Sequence, residues 1–456
     1  MKLTNKKKNM IFAVIVVTCI LCSMLSTALT TALPKIMEDF GIDEGTGQWL
    51  TSIYSLVQGI MVLATAFFIK RFKSKPLYMA SLAIFTVGIF LNAFTHSFGI
   101  MMAGRVLQAA GNGILLALGQ VVLLTIFEKE RRGSVMGIYG LAVAAAPVIA
   151  PVLAGFVVDA FGWRMIFYVL LVICVLALLV TMAAFDNVLD NEPVAFDTLS
   201  MALCIVGFGG LLLGVGNVGR YGIDSAWVLI PLALGIAGCI IFVYRQLHLD
   251  QPFLELRILG TSQYRVAVIA SMVLYAYLMA FSVLAPVYIQ RFCGLSAAVS
   301  GLSMMPGAIA MALISPVAGK MYDRWGMKRV FAIGALIMVG CSVGMLFLQA
   351  DTPVMAFTVL NTLRSVSTGM LMMPFVTYGM NALGAEHTAA GTSLLTSLRT
   401  IAGAFGSALI MVVVSVAGMT AAFGGLLILG VAEFAVFLLA ARKNLFDTRE
   451  VTRKVI

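Results

Sequence analysis

Charge is the property that this sequence lacks most. Only 11% of its 456 residues are charged and 61% are hydrophobic, whereas an ordinary soluble domain has about 25% charged residues. The mean hydropathy is +1.04. A chain with so few polar residues cannot cover a water-facing surface, so the composition excludes a soluble protein and indicates one whose solvent is lipid.

Patterns that carry enzymatic chemistry are also missing. The chain has three His and seven Cys, and no pair of cysteines has the spacing of a disulfide framework or a metal site. No stretch matches G-x-x-x-x-G-K-[ST], the loop that cradles nucleotide phosphates. These absences argue against an enzyme, a metal site, a bound cofactor and ATP as the direct energy source. The cysteines are interpreted as small residues of the core or the lipid face.

Long apolar segments fill most of the chain. A helix needs about 20 apolar residues to cross the hydrocarbon layer, and fourteen segments approach or exceed that length. The sequence therefore predicts an all-α polytopic membrane protein with fourteen transmembrane helices. Their approximate limits are 10–33, 49–69, 76–94, 98–126, 134–158, 163–184, 197–217, 225–244, 264–290, 298–318, 330–349, 353–380, 389–417 and 420–441.

The basic residues give the orientation. When the spans alternate in direction, most of the 30 Lys and Arg residues fall on the side of the N-terminus. The opposite side holds only Lys35, Arg164, Arg220 and Arg291. Because cytoplasmic loops carry the excess of basic residues, both termini are predicted to be cytoplasmic. The net charge of +10 is thereby explained by topology, and it does not indicate binding to nucleic acid.

One cytoplasmic loop, "GKMYDRWGMKRV", has a spacing of its own, and the residues singled out are Gly319, Asp323, Arg324, Gly326, Lys328 and Arg329. Gly319 would let its helix approach a neighbour closely, and Gly326 would permit a tight turn. Asp323 could meet the amides at the start of the next helix or a nearby arginine. Such a cluster can latch two helix bundles in one state and release them in another. The alternative that the loop only sets orientation stays open.

This loop resembles the cytoplasmic loop motif of the major facilitator superfamily. "GRVLQAAGNG", with Arg105 and Gln108, resembles the fourth-helix motif of that family. "APVIAPVLAG" resembles its antiporter motif in the fifth helix, with matches at Pro147, Pro151 and Gly155. "WRMIF" and "SLRTIAGAFG" agree as well. The chain is identified as a member of the fourteen-span drug:proton antiporter branch, the EmrB/QacA-like exporters with their lincomycin-resistance-like members.

The resemblance implies a fold and a function. The fold would be two six-helix bundles, residues 1–185 and 263–456, with two additional spans and a loop in 186–262. The function would be proton-driven efflux of hydrophobic or amphipathic drugs by alternating access, in a monomer of a bacterial cell membrane. No cofactor would be needed, because the proton gradient supplies the energy. Two alternatives stay open: an uncoupled or differently coupled exporter or facilitator of a specific metabolite, and a non-transporting membrane receptor or scaffold.

The chain departs from the family pattern where proton coupling is concerned. Leu25 stands where the first helix of the family usually carries an acid, and Lys70 stands where the first copy of the loop motif has its aspartate. Ionisable groups inside spans are costly and usually functional. The candidates for coupling or the cleft are Arg105, Gln108, Arg364, Arg399, Glu433 and Asp159. Glu433 is the one mid-span carboxylate and suits a proton carrier because burial favours its neutral form, yet it lies on the last and peripheral span.

Polar side chains on several spans would line a mostly apolar substrate cleft. Such a lining suits a neutral or weakly charged amphipathic organic ligand. The predicted lining residues are Thr27, Thr30, Thr31, Trp49, Tyr54, Gln58, Asn112, Gln120, Tyr275, Tyr277, Asn361, Thr377 and Tyr378.

Overall fold

The computed structural model describes residues 4–42, 44–127, 135, 138–139, 142, 146, 149–150, 153–189, 197–249, 252, 254–383 and 387–446. Every regular element in these residues is a helix. Nine of the helices in them are long and apolar enough to cross a membrane. Lipid offers no hydrogen bonds to the backbone, so a spanning segment must satisfy its peptide groups internally, and a helix does so.

The helices follow one another along the chain with short connections. They are α1 (Asn5–Phe40), α2 (Glu44–Arg71), α3 (Ser74–Phe94), α4 (Phe98–Ile126), α5 (153–161), α6 (Arg164–Ala184), α7 (Thr198–Tyr221), α8 (Ala226–His248), α9 (Ser262–Val287), α10 (Ala297–Met345), α11 (Val354–Asn381) and α12 (Thr388–Arg442). A short 3₁₀ helix, Leu256–Gly260, precedes α9, and a π-helical turn, Tyr288–Phe292, follows it.

Two helices contain a break at a glycine. Gly326 in α10 has φ 72° and ψ 167°, and Gly418 in α12 has φ 84° and ψ −178°. A residue with a β-carbon avoids this region of backbone space, so glycine is the residue that lets the chain turn there. Each break falls between two segments that the sequence predicts to be separate spans. The tight turn predicted at Gly326 is confirmed.

The chain forms two compact units, residues 1–205 and 206–456, and the boundary falls within α7. The predicted three-part division at 185/186 and 262/263 stays a prediction. In the first unit α3 and α4 touch through small residues. A β-carbon on Gly88 would lie 2.6 Å from the carbonyl oxygen of Gly104, and one on Gly111 would lie 2.5 Å from that of Ser81. Small residues at such crossings let membrane helices pack backbone to backbone.

A polar clamp joins the end of α1 to the start of α6 in the first unit. The Asp39 carboxylate accepts hydrogen bonds from Trp163 Nε1 at 2.7 Å and Arg164 Nη1 at 3.0 Å. Arg164 also donates to the carbonyl oxygen of Thr95, which follows α3, at 3.3 Å. Three helix ends are thus connected through one carboxylate and one guanidinium.

The segment after α12 is fixed against the second unit. The Tyr378 hydroxyl donates to the carbonyl oxygen of Leu445 at 2.6 Å, and the Gln263 amide donates to the same oxygen at 3.3 Å. The Phe446 ring packs against Phe331 and Phe437, with ring centroids 6.1 and 5.9 Å away. This segment, residues 443–446, is called the C-terminal anchor below.

Candidate functional site

A buried cation on α4 organises the polar interior of the first unit. Arg105 is fully buried. Its Nε donates to the carbonyl oxygen of Leu50 at 3.0 Å, and its Nη1 donates to Gln108 Oε1 at 3.0 Å. The guanidinium lies over the Tyr54 ring, 4.1 Å from the centroid. In the described part of the chain its Nη2 has no hydrogen-bond partner. Arg105 thus connects α4 to α2 through a backbone oxygen and an aromatic face.

The amide of Gln108 extends this network to α3, because its Nε2 donates to the carbonyl oxygen of Gly88 at 2.9 Å. Asn112 Nδ2, one turn further along α4, donates to the Tyr54 hydroxyl at 2.7 Å. That hydroxyl donates to the carbonyl oxygen of Cys22 on α1 at 3.4 Å. The predicted residues Tyr54, Arg105, Gln108 and Asn112 therefore meet in one site, which contacts α1, α2 and α3.

The second unit has a buried cation of its own on α11. Arg364 donates from Nη2 to Asn361 Oδ1 at 3.1 Å and to Ser365 Oγ at 3.0 Å. Its guanidinium lies 3.9 Å from the Phe281 ring centroid on α9 and 6.0 Å from that of Tyr277. A cation over an aromatic face is stabilised by the ring quadrupole. The predicted residues Tyr277, Asn361 and Arg364 are thereby brought together.

The two arginine sites match each other across the two units. Gly113 on α4 packs against α2, and Gly369 on α11 packs against α10, the next helix but two after α7. Counting back from each glycine by the same number of residues pairs Arg105 with Asn361, and the amide of the first unit with the cation of the second. Each unit therefore holds one arginine and one amide a single helical turn apart, in reversed order.

Glu433 is fully buried on α12. Neither carboxyl oxygen has a hydrogen-bond partner among the described residues. One turn before it, a β-carbon on Gly430 would lie 3.5 Å from Ser342 Oγ on α10. One turn after it, the Phe437 ring packs on Phe331 of the same helix at 5.4 Å. Glu433 therefore lies on the face of α12 that contacts the second half of α10.

The third arginine singled out by the sequence, Arg399 on α12, is half-buried. Its guanidinium lies 5.3 Å from the centroid of the Tyr275 ring on α9. The two residues line the same narrow crevice, whose other walls come from α9 and α11. Tyr275 and Arg399, both predicted site residues, are thus neighbours.

The cytoplasmic loop cluster is only partly as expected. A β-carbon on Gly319 would meet no atom within 4 Å, so the predicted close approach of a neighbouring helix at this glycine is wrong. Asp323, Arg324, Lys328 and Arg329 are exposed. In the residues that the structure covers, Asp323 forms no ion pair. The latch stays a prediction, and it would require another conformation.

The remaining predicted residues fall into several groups. Thr30 Oγ1 donates to a carbonyl oxygen of its own helix, and so does Thr27 Oγ1, which occupies part of their hydrogen-bonding capacity. Gly155 on α5 faces the Thr31 methyl group at 3.8 Å, whereas Pro147 and Pro151 lie outside the described residues. Asp159 and Thr377 are exposed, and Tyr378 belongs to the C-terminal anchor. Trp49, Gln58 and Gln120 are half-buried.

Sequence reasoning missed two polar residues that the structure makes prominent. Asp39 was not singled out, although an acid at the end of a span and the Trp163–Arg164 pair at the start of another are compatible signals. Ser342 was also missed. It is hydrogen-bonded to the Tyr277 hydroxyl at 2.9 Å and lies next to Gly430. A serine in an apolar run gives no sequence signal that distinguishes it from an ordinary helix residue.

Known proteins agree with this architecture. Residues 15–407 match the Major Facilitator Superfamily. The chain is 33% identical over 384 residues to the lincomycin resistance protein LmrB of Bacillus subtilis, covering 84% of this chain and 80% of that protein. It is 27% identical over 411 residues to the riboflavin transporter RibZ of Clostridioides difficile, covering 88% and 87%. A solved POT family transporter in complex with 5-aminolevulinic acid has a TM-score of 0.72 at 13% identity, covering 96% of this chain and 95% of that one.

The buried arginines, the helical architecture and these likenesses lead to one class. The chain belongs to the Major Facilitator Superfamily. It is a multi-pass transporter of the cell membrane and not an enzyme. The proteins with matching sequences named above are bacterial. The likeness to the solved transporter supports the fold alone.

Proposed function

We propose that this transporter exports hydrophobic or amphipathic small organic molecules, including drugs, by alternating access and at the expense of a proton gradient. It would act as a monomer and without a bound cofactor. The observation that carries the proposal is the buried, aromatic-stacked Arg105 with its Gln108 partner on α4. A buried cation is costly and persists where function requires it. The 33% identity to a lincomycin resistance protein supports drug export in particular.

The transporter would have fourteen spans with both termini in the cytoplasm. The breaks at Gly326 and Gly418 support this count, because each divides one long helix at a place where two predicted spans meet. The basic residues Lys328 and Arg329, directly after the first break, are exposed. That position suits a cytoplasmic loop under the positive-inside rule.

Glu433 is the favoured proton carrier. A carrier must accept and release a proton during the cycle, so it needs an environment in which both forms are accessible in turn. The burial of Glu433 beside α10 favours its neutral form in this conformation. A movement of α12 relative to α10 would expose the carboxyl and allow it to ionise.

A second candidate function is export or uptake of one metabolite without proton coupling. The likeness to a riboflavin transporter favours it, since that relative matches nearly the whole chain and is named for one vitamin. The missing first-helix acid, replaced by the fully buried Leu25, is compatible with it as well.

Drug susceptibility distinguishes the two candidates. The chain is expressed in a host that lacks its own pumps, and growth is measured across a panel of antibiotics that includes lincomycin, with and without a proton uncoupler. Drug export predicts resistance that the uncoupler abolishes. Resistance that survives the uncoupler would reject proton coupling, and unchanged susceptibility to every drug together with riboflavin transport would favour the metabolite transporter.

A further inference from the structure

We infer that the crevice beside Arg399 is a substrate subsite for an oxyanion attached to an aromatic or other apolar ring. This inference rests on the proposed function, whose substrate class it narrows. The crevice lies within the second unit and is formed by α9, α11 and α12. Its lining residues are Ser271, Leu274, Tyr275, Leu278, Thr368, Met372 and Arg399.

The size of the crevice limits what it can hold. Its empty space amounts to about 210 Å³, part of it open to solvent. Sites for complete drug-sized ligands are about 300–1,000 Å³. The crevice is therefore large enough for one end of a substrate, such as a ring with its polar substituent, and the rest of the molecule would extend beyond it.

The polar groups of the crevice are hydrogen-bond donors that suit an oxygen acceptor. Arg399 supplies a permanent positive charge and a planar fork of N–H groups that matches a carboxylate. Ser271 is only 3% exposed, and its hydroxyl has no hydrogen-bond partner in the described part of the chain. A buried hydroxyl without a partner is costly, so a ligand oxygen would relieve that cost. The Thr368 hydroxyl already donates to the carbonyl oxygen of Arg364 at 2.9 Å.

The other walls explain the apolar part of the ligand. Leu274, Leu278 and Met372 provide an aliphatic surface, and the Tyr275 ring offers an aromatic face next to the cation. No carboxylate is among the lining residues. A cationic ligand would therefore meet a like charge with nothing to compensate it, which selects against it.

Three naphthalene probes of the same shape and different charge test the subsite. These are 2-naphthoate, the neutral 2-naphthamide and the cationic 2-naphthylmethylammonium, titrated calorimetrically into the purified full-length protein in lipid nanodiscs. The wild type is expected to bind the naphthoate about tenfold more tightly than the amide, and the ammonium most weakly. Arg399→Gln should remove the tenfold preference and change the affinity for the amide by less than about twofold.

Two further variants and a control keep the outcome interpretable. Arg399→Lys keeps the charge without the fork and should keep part of the preference. Ser271→Ala should weaken naphthoate binding about threefold to fivefold. Arg265→Gln, at an exposed position on α9, removes a positive charge outside the crevice and should leave all three affinities unchanged. If Arg399→Gln does not fold, the lysine and alanine variants carry the test.

Equal affinities of the wild type for the acid and the amide, or no binding of the acid, would overturn the subsite. An unchanged naphthoate affinity in both Arg399→Gln and Ser271→Ala would do the same. Failure of the proposed function has a different signature. In that case cells show no drug export, while the nanodisc titrations still give an acid preference that Arg399→Gln removes.

Discussion

At the scale of single residues, the cost of burying charge identifies the positions that matter most. Arg105 and Arg364 are each nearly or fully buried, and each is satisfied by an amide oxygen and an aromatic face. Arginine can use both kinds of partner at once because its guanidinium is planar and weakly hydrated. The structure places no carboxylate of the described residues in an ion pair with either arginine, so both retain a net positive charge in the interior.

Replacement of Arg105 tests the first of these sites. Arg105→Ala removes the hydrogen bonds to Leu50 and Gln108, and hydrogen bonds to a charged group contribute about 1.5–3 kcal/mol each. We expect export to be lost although the protein still inserts. Arg105→Lys should recover only part of the export, because one ammonium cannot reproduce both hydrogen bonds and the ring contact. Efflux is measured at equal protein levels, and full activity of Arg105→Ala would contradict the assignment.

Replacement of Glu433 tests the proton carrier. Glu433→Gln keeps the shape of the side chain and removes its titration. Because the described residues offer its oxygens no hydrogen-bond partner, the thermal unfolding midpoint should not fall. Substrate-induced proton release in proteoliposomes should be lost, whereas Asp159→Asn, at an exposed position, should release protons like the wild type. Proton release that persists in Glu433→Gln would exclude this carboxyl as the carrier.

At the scale of helices, two glycines divide elements that would otherwise be continuous. Gly326→Ala should lower the stability by about 1–3 kcal/mol, since alanine avoids the backbone conformation there. Gly340→Ala is the matched control on the same helix. A β-carbon at Gly340 would meet no atom within 4 Å, and alanine in a helix interior stabilises by about 0.5–1 kcal/mol. The thermal midpoints in detergent give the comparison, and equal midpoints would contradict the turn.

The clamp at Asp39 gives a second prediction at this scale. Asp39→Ala removes the acceptor that joins α1 to Trp163 and Arg164. The pair is partly exposed, so the loss should be about 0.2–1 kcal/mol for the ion pair together with about 1 kcal/mol for the indole hydrogen bond. Salt should reduce the first part. Asp159→Ala, an exposed acid in the same unit, should have no effect on the unfolding midpoint. A similar loss in both variants would show that the clamp is not specific.

At the scale of the whole transporter, the question is how the two units change their relation during transport. The latch hypothesis predicts that Asp323→Asn slows this change, whereas Lys70→Ala matters much less. The reason is that only the second copy of the loop motif carries the aspartate. The accessibility of a single cysteine placed in the predicted cleft, measured with a membrane-impermeant thiol reagent, reports the change. A larger effect of Lys70→Ala at equal protein levels would refute the ranking.

The parts that the sequence could predict are those that depend on local patterns. Apolar length predicted the spanning helices, and the glycine between two apolar runs predicted the turn at Gly326. The burial of Arg105, Arg364 and Glu433 followed from their positions inside such runs. The partners of these residues could not be predicted, because a contact such as Arg364 over Phe281 joins helices far apart in the sequence. Gly319 shows the limit of motif reasoning, since its open surroundings are invisible in the spacing.

The C-terminal anchor has a practical consequence for protein engineering. A reporter, purification tag or fusion partner joined directly after Arg442 would remove Leu445 and Phe446. Tyr378 and Gln263 would then lose their shared acceptor, and Phe331 and Phe437 would lose an aromatic neighbour. Tolerance of a junction depends on the burial and hydrogen bonding of the backbone that it replaces. Fusions should therefore begin after residue 446, and expression yields of fusions placed before and after that residue would measure how much the anchor contributes to biogenesis.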